Sequence, residues 1–537
     1  MFLKIVRSAQ GIDYVYVVEG YRDSSGIIRH KYLFSLGKLE DFLQTPSFQK
    51  LARRALGNST ERKIELKSIS EGKVVYWGHS LIKKLWDSFE FDRFFNGKRA
   101  RKRFDIARAV FYMTARHMML SDSKLGMYES RIDFLGFETV GINHLYRALD
   151  VLAERKEEIE EHLFQRRYNL FNSHVDVVFY DVTTVYFESQ REDVLRKYGF
   201  SKDGKIGSVQ IVLGLLIDKE GFPIGYEIFP GNSFDGKTLI PFLEKIKKRF
   251  SLNRIILVAD RGINSKLNLL KLREMGFGYI VALRLRNASE EILKEVFNQA
   301  DYKEVTNSEG VFKYKTLRQR FRLRDEEGKL REIEDTVVVS YSDRRAERDR
   351  AERQRLIQKA IRLLETPSAI EGLNKRGGKK YIKAEQSSKY FLDEELIERD
   401  RAFEGYYAIQ SSEENLKAEQ ILEAYHSLWK IEESFRIMKH TLEIRPVYHW
   451  SEQRIKGHLV VCFLSFLFMR MLEEVLSREV SAERIREALR SITFTEFSIE
   501  GVQYYLRNKM DRVARELFKG LKVAMPENIT EKENFKI

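Results

Sequence analysis

Hydrophobic and polar positions along this chain fall into three regimes, and each predicts a different kind of structure. In the first 60 residues, short apolar stretches, Tyr14-Val15-Tyr16-Val17-Val18 and Tyr32-Leu33-Phe34, flank the turn-rich Asp23-Ser24-Ser25-Gly26. That pattern predicts a small β unit. Through a region bounded at 61–172, apolar residues recur three and four apart: Leu81, Leu85, Phe89; Ile106, Val110, Met113; Leu145, Leu149, Leu152. This is the spacing of amphipathic helices. The third regime begins near 173. Val177-Val178-Phe179-Tyr180 is a continuous β-branched and aromatic run that arrives at Asp181. Continuous runs predict strands buried on both faces, because a surface strand would alternate.

More elements of that kind follow. Val209–Ile217 and Pro223–Phe229 flank the turn Asp218-Lys219-Glu220-Gly221 and predict a hairpin. Gly236–Phe250 has helical spacing, and Ile255-Ile256-Leu257-Val258-Ala259 is a second doubly buried strand ending at an aspartate, Asp260. A helix (265–275) and a strand (279–283) complete the series. Strand, hairpin, helix, strand, helix, strand is the order of an α/β domain built on a ribonuclease H-like mixed five-stranded core. The first part of that core is expected at 173–286. Residues 287–402 break the pattern and predict an inserted α+β segment. It includes a helix (343–365) carrying Arg344, Arg345, Arg348, Arg350, Arg353 and Arg355 among acids, which reads first as a solvated helix. The second part of the core, 403–475, contains a strong helical stripe from 415 to 442, with Glu432, Arg436 and Lys439 on one face. Residues 476–537 are expected to be helical.

Composition narrows the function classes. The 537 residues include 94 Lys and Arg against 80 Asp and Glu, a formal net charge of +14. That balance favours a polyanionic partner, nucleic acid ahead of an acidic membrane. The single cysteine, Cys462, rules out an internal disulfide framework and a cysteine-based zinc site, and its apolar surroundings predict a core thiol. The longest apolar run, 459–469, falls short of the about 20 residues that span a bilayer. A soluble, cytoplasmic protein is expected. Lys98, Arg99, Arg101, Lys102 and Arg103 form a basic segment able to hold phosphates.

Chemistry enters with the carboxylates. A charge at the end of a buried strand is costly unless neutralised. Two such aspartates, on strands that would be neighbours, plus Glu432 on a later helix, suit hard-oxygen coordination of Mg2+ or Mn2+. Two ions about 4 Å apart would activate a water or 3′-hydroxyl and stabilise the leaving oxygen of a phosphodiester. Taken singly, each residue has a plainer reading: a strand-end aspartate is often a turn or helix cap, and a helical glutamate often pairs with a nearby Lys or Arg.

Tyr425, Glu432 and Lys439 match the Tyr-x2-Arg-x3-Glu-x6-Lys signature of DDE transposases of the insertion-sequence-four type. Tyr180-Asp181-Val182-Thr183-Thr184, Gly231-Asn232, Ala259-Asp260-Arg261-Gly262 and Arg445-Pro446-Val447-Tyr448-His449 resemble the same group, and the resemblance spans most of the chain. It implies cut-and-paste transposition: hydrolysis at the element's ends through a hairpin intermediate, then attack of the freed 3′-hydroxyl on target DNA. It implies divalent metal on Asp181, Asp260 and Glu432, contacts from Tyr425 and Lys439 to the terminal inverted repeat, and a homodimer on two paired ends. The sequence departs from the signature at Leu428, where the family has arginine; Arg436, ahead of Lys430, is the expected replacement. Glu433 is the rival metal ligand, but the signature count selects Glu432. The alternatives are a ribonuclease H-like structure-specific nuclease without strand transfer, and an inactive DNA-binding relic. If the basic segment touches phosphate, neutralising Lys98, Arg99, Arg101, Lys102 and Arg103 will flatten the salt dependence of DNA binding; an unchanged slope would assign it to solvent.

Overall fold

The computed structural model describes residues 2–23, 27–44, 70–97, 104–168, 177–202, 207–250, 255–262, 264–307, 310–325, 327–365, 370, 377–385, 389–499 and 501–535. The basic segment at 98–103 lies outside the described residues. At the N-terminus, β1 (Phe2–Arg7), β2 (Asp13–Arg22) and β3 (Ile28–Lys38) form an antiparallel sheet, so the expected two-stranded unit gains a third strand. After β4 (Ser70–Tyr76) the chain turns helical, with helices at His79–Ser88, Phe91–Asn96, Ile106–Met119, Lys124–Glu129, Ile142–Glu154 and Lys156–Arg167. Asp105 and Ser123 cap two of these by accepting from Arg108 N and Gly126 N.

A nine-stranded sheet follows. β5 (Val177–Tyr186) pairs antiparallel with β6 (Gln210–Asp218), which pairs with β7 (Pro223–Pro230) as the expected hairpin. On its other side β5 runs parallel to β8 (Ile256–Ala259), and β8 runs parallel to β9 (Gly278–Leu283). Every residue of β6 is buried, and β5, β8 and β9 are nearly so, as their continuous apolar runs require. Their side chains alternate between two cores. Val178, Tyr180, Leu257 and Ala259 pack with the helix Asp235–Phe250 and the helix Lys266–Glu274. Phe179, Val185 and Val258 face the opposite side, where the helix Glu452–Val475 lies.

The mixed α/β class is as expected, but the sheet is wider than five strands. β10 (Lys303–Asn307), β11 (Gly310–Arg324) and β12 (Leu330–Tyr341) from the inserted segment join it, because β15 (Tyr406–Ser411) pairs with β9 and then with β12. The rest of the insertion, the helix Asp343–Leu364, the hairpin β13 (Ile382–Glu385) and β14 (Lys389–Leu392), and the helix Glu394–Ala402, packs into a small core of its own. The helix expected through 415–442 is interrupted: Ala418–His426 and Trp429–Arg436 are separate, and Ile437–Thr441 winds as a π-helix.

The C-terminal region corrects the expectation of an all-helical end. Among its described residues only Ala482–Ser491 and Arg512–Gly520 are α-helices; β16 (Thr493–Ile499), β17 (Val502–Arg507) and β18 (Ile529–Glu531) join β4 in a four-stranded sheet. The alternation of Phe497 and Ile499 with Glu496 and Ser498, and a turn through Gly501 at φ 82°, favour a hairpin over a helix. This sheet packs its Phe497, Tyr504 and Leu506 against Val15, Val17 and Leu36 of the N-terminal unit. The helix Glu452–Val475 is long and apolar enough to cross a membrane, contrary to the expectation from the shorter run, but 89% of its apolar window is buried within the protein.

Beneath the sheet the helical region holds several buried imidazoles. His79 packs against the rings of Phe111, Phe134 and Phe137, and burial pulls its pKa down to about 4. Burial lowers His117 and His449 to about 3, and His458 is depressed as well. Cys462 is a core thiol as expected, within 3.4 Å of His117 and 3.5 Å of His458, and burial raises it to about 12. The unfolded chain binds protons on these histidines near pH 6.5 and the folded one does not, so stability falls as pH drops below about 6.5. The apparent melting temperature should drop by about 3 °C or more between pH 7 and pH 5, as read by scanning fluorimetry. His79→Phe, which keeps a ring in that aromatic cluster, should reduce the drop; an equal or larger drop would refute the account.

Candidate active site

Asp181 lies within β5 rather than at its end, at the point where the neighbouring strand stops. Tyr180 is in register with Ala259, the last residue of β8, so Asp181 and Asp260 each follow one residue beyond a paired position. By alternation both project from the sheet face that carries Phe179 and Val258. The helix Trp429–Arg436 packs on the same face through Ile431 and Phe435, and its exposed Glu432 lines a cavity of about 950 Å3 together with Asp260. Sheet register therefore places the two aspartates, and helix packing brings the glutamate to the same side. Among the described residues no three His, Cys, Asp or Glu side chains group tightly enough to hold a metal ion.

The charge of Asp181 is met by two groups. Its Oδ1 accepts from Val182 N at 2.7 Å, and the Lys202 ammonium stands 3.8 Å away, also 3.2 Å from Asp235. Lys202 further donates to Val182 O at 2.6 Å. Burial, opposed by Lys202 and abetted by the nearby Asp235 and Asp260 carboxylates, holds the Asp181 carboxyl up at about 6. Neither Lys202 nor Asp235 stands out in the sequence. The segments that carry them meet because Gly199 lies against the Gly231 carbonyl, an approach that leaves no space for a Cβ. The Gly-Asn pair at Gly231 is the one available signal.

Much of the rest of the cavity lining comes from the insertion. Arg344, Arg345 and Arg348, from the first two turns of the helix Asp343–Leu364, line it with Tyr425, Leu428 and Glu432. The Tyr425 hydroxyl is hydrogen-bonded to that of Tyr407 at 2.5 Å, and the Arg345 guanidinium stacks 4.3 Å from the Tyr407 ring. A lining that combines the metal-ligand candidates Asp260 and Glu432 with Arg261, Arg344, Arg345 and Arg348 makes a cleft suited to a phosphodiester.

Two family models match. One, described as the transposase DDE domain, covers residues 173–468; the other, the IS1634 family transposase N-terminal domain, covers residues 3–65. The chain belongs to the DDE transposase family. No curated protein matches it. Among solved structures, a piggyBac transposase synaptic complex with hairpin DNA is similar at a TM-score of 0.36 and 8% identity, over 79% of this chain and 82% of that one, too distant to add to the assignment.

The transposase is thus a DNA-cleaving, phosphoryl-transfer enzyme whose partner is DNA. Its other sequence-designated residues are placed unevenly. Tyr425 and Glu432 face the cavity. Lys439 is half-buried in the π-helical turn, whose winding ends the simple i, i+4, i+7 face expected to join it with Glu432 and Arg436. Lys430 donates to Lys219 O at 2.6 Å, and Arg436 pairs with Glu433 at 3.4 Å. Glu433 also lies 3.3 Å from Arg470, a nearly buried guanidinium that Glu473 and Ser434 hold as well. The two adjacent glutamates thus differ: Glu433 belongs to a buried ion-pair network, Glu432 to the cleft. Glu433→Gln should destabilise the fold by about 1–3 kcal/mol, seen as a lower denaturation midpoint. Glu432→Gln should leave that midpoint unchanged, and equal losses would refute the distinction.

Proposed function

We propose that this transposase binds the inverted repeats at its element's ends, hydrolyses the DNA there and joins the freed 3′ ends to target DNA, with Asp181, Asp260 and Glu432 as its metal ligands. The observation that carries the reading is the parallel register of β5 and β8, which puts two aspartates side by side beneath a helix bearing a glutamate. Strands β7-β6-β5-β8-β9, with β6 antiparallel to its neighbours and β5, β8 and β9 mutually parallel, support a ribonuclease H-like core within the wider sheet.

The donor chemistry suits magnesium or manganese, being all-oxygen and anionic with the Lys202 cation already beside Asp181, although the three carboxylates are not drawn together to coordination distance in this structure. Phosphate oxygens and water would complete the coordination that three carboxylates leave open. Bound ions would lower the pKa of the attacking water or 3′-hydroxyl and stabilise the departing 3′-oxygen. Asp181 and Asp260 fix where the phosphorus must lie, and Glu432 closes the set from the helix. Tyr425, held by Tyr407, and Lys439 orient the strand that is cut. In the first step water adds to phosphorus and the P–O3′ bond breaks, the proton going to the departing 3′-oxygen. In the second, that 3′-hydroxyl displaces a 3′-oxygen of the target. Two copies of the chain, one per end, would align both reactions.

The test uses the purified chain, Mg2+ and labelled duplexes made from the DNA flanking the reading frame. The wild type should nick them, and supplied with pre-cleaved ends and a plasmid it should give joined product. Asp181→Ala should lower cleavage by about three orders of magnitude or more while end binding persists. Cleavage without joining would reduce the protein to a nuclease, and cleavage unchanged in Asp181→Ala would refute the site.

A further inference from the structure

The signature arginine is absent at Leu428, and the structure shows what occupies its place. Leu428 precedes the helix Trp429–Arg436 and packs its half-buried side chain against the main core, so that position offers no cation to the cleft. Neither residue expected to replace it faces the cavity: Lys430 turns to the Lys219 carbonyl, and Arg436 lies with Glu433. The insertion helix supplies charge to the same cavity that Leu428 lines. Its arginines sort by face. Arg350 and Arg353 turn to Glu404 at 3.4 and 2.6 Å, and Arg355 pairs with Glu352. Arg344 and Arg348, one turn apart and both exposed, face the cavity of Asp260 and Glu432. Among the described residues neither pairs with Asp260 or Glu432, and neither forms another ion pair.

We infer that Arg344 and Arg348 replace the missing signature arginine, gripping a backbone phosphate of the DNA strand beside the cut. This rests on the transposase reading above and adds to it the source of the phosphate contact. Guanidinium is well matched to such a grip, since its planar fork holds two phosphate oxygens at once and stays charged at any working pH. Two unpaired arginines in the cavity of Asp260 and Glu432 also solve an electrostatic problem. The polyanion must be drawn to a surface that presents Asp181, Asp260 and Glu432, and cations in the same cavity offset that repulsion without neutralising the metal ligands. Arg345 is a positioning residue here, since its guanidinium covers the ring of Tyr407, whose hydroxyl holds that of Tyr425. The insertion is then half of the cleft rather than an appendage.

The experiment compares the wild type with the Arg344→Ala/Arg348→Ala double variant, the same variant carrying Leu428→Arg, and Arg362→Ala. Arg362 lies exposed on the same helix outside the cavity and serves as control. Two quantities are read on the flanking-DNA duplex: the slope of log affinity against log salt, and the single-turnover nicking rate in Mg2+. The double variant should lose about one to two units of slope and nick at least about tenfold more slowly, and Arg362→Ala should match the wild type. Adding Leu428→Arg should return most of the nicking rate. A double variant that nicks at the wild-type rate, or one that Leu428→Arg leaves uncorrected, would overturn the inference while the transposase reading stands. A wild type that neither binds nor nicks the duplex would overturn that reading instead.

Discussion

Hydrogen bonding between β5 and β8 in parallel register is the constraint from which the rest of the site follows. Parallel neighbours advance together, so residues one step beyond Tyr180 and Ala259 emerge on the same face and at the same height. β8 ends there and β5 continues for several residues, which leaves Asp181 beside a gap in the sheet instead of beneath another strand. Burial on both faces makes the register hard to slip, because a shift of one residue would drive Phe179 and Val258 into the wrong core and Val178 and Tyr180 into the other. The carboxylates are therefore positioned by a large amount of apolar surface that never meets a substrate.

That dependence explains which parts were legible in the sequence. Asp181 and Asp260 stand out because each closes a continuous apolar run, and such runs announce doubly buried strands. Glu432 follows from a helical stripe whose apolar members do pack as expected. Lys202 and Asp235 are illegible for a physical reason: Lys202 lies in a loop without periodicity and Asp235 at the first position of its helix, and they meet only where Gly199 touches the Gly231 carbonyl. Local pattern carries no record of such an approach. The same holds for Arg344 and Arg348. Mixed charge along the helix Asp343–Leu364 is the signature of solvated surface, and nothing in the spacing reveals that one flank looks into a cleft. The strands β16 and β17 are concealed differently, since they are seven and six residues long without regular alternation, sit between two strongly helical segments and are short enough to be absorbed into them.

The helix Glu452–Val475 shows how far burial can displace the meaning of a hydrophobic segment. Its composition alone is compatible with lipid, yet its partners are the sheet on one side and the helices of the 79–167 region on the other. It joins the two into one core, which is why Cys462 and the imidazoles of His117 and His458 meet in its interior. The cost of that arrangement is a set of buried bases, His79, His117 and His458, that acid would charge.

The two strands that bracket the insertion, β9 and β15, are themselves partners, Leu283 facing Ala408 and Ile280 facing Ser411. A segment that departs from one strand and returns along its neighbour leaves and re-enters at a single doorway. Its contour length is then decoupled from the spacing of the halves it separates. Such a seam would let the intervening cassette lengthen or shorten while Asp260 on one side and Glu432 on the other keep their places.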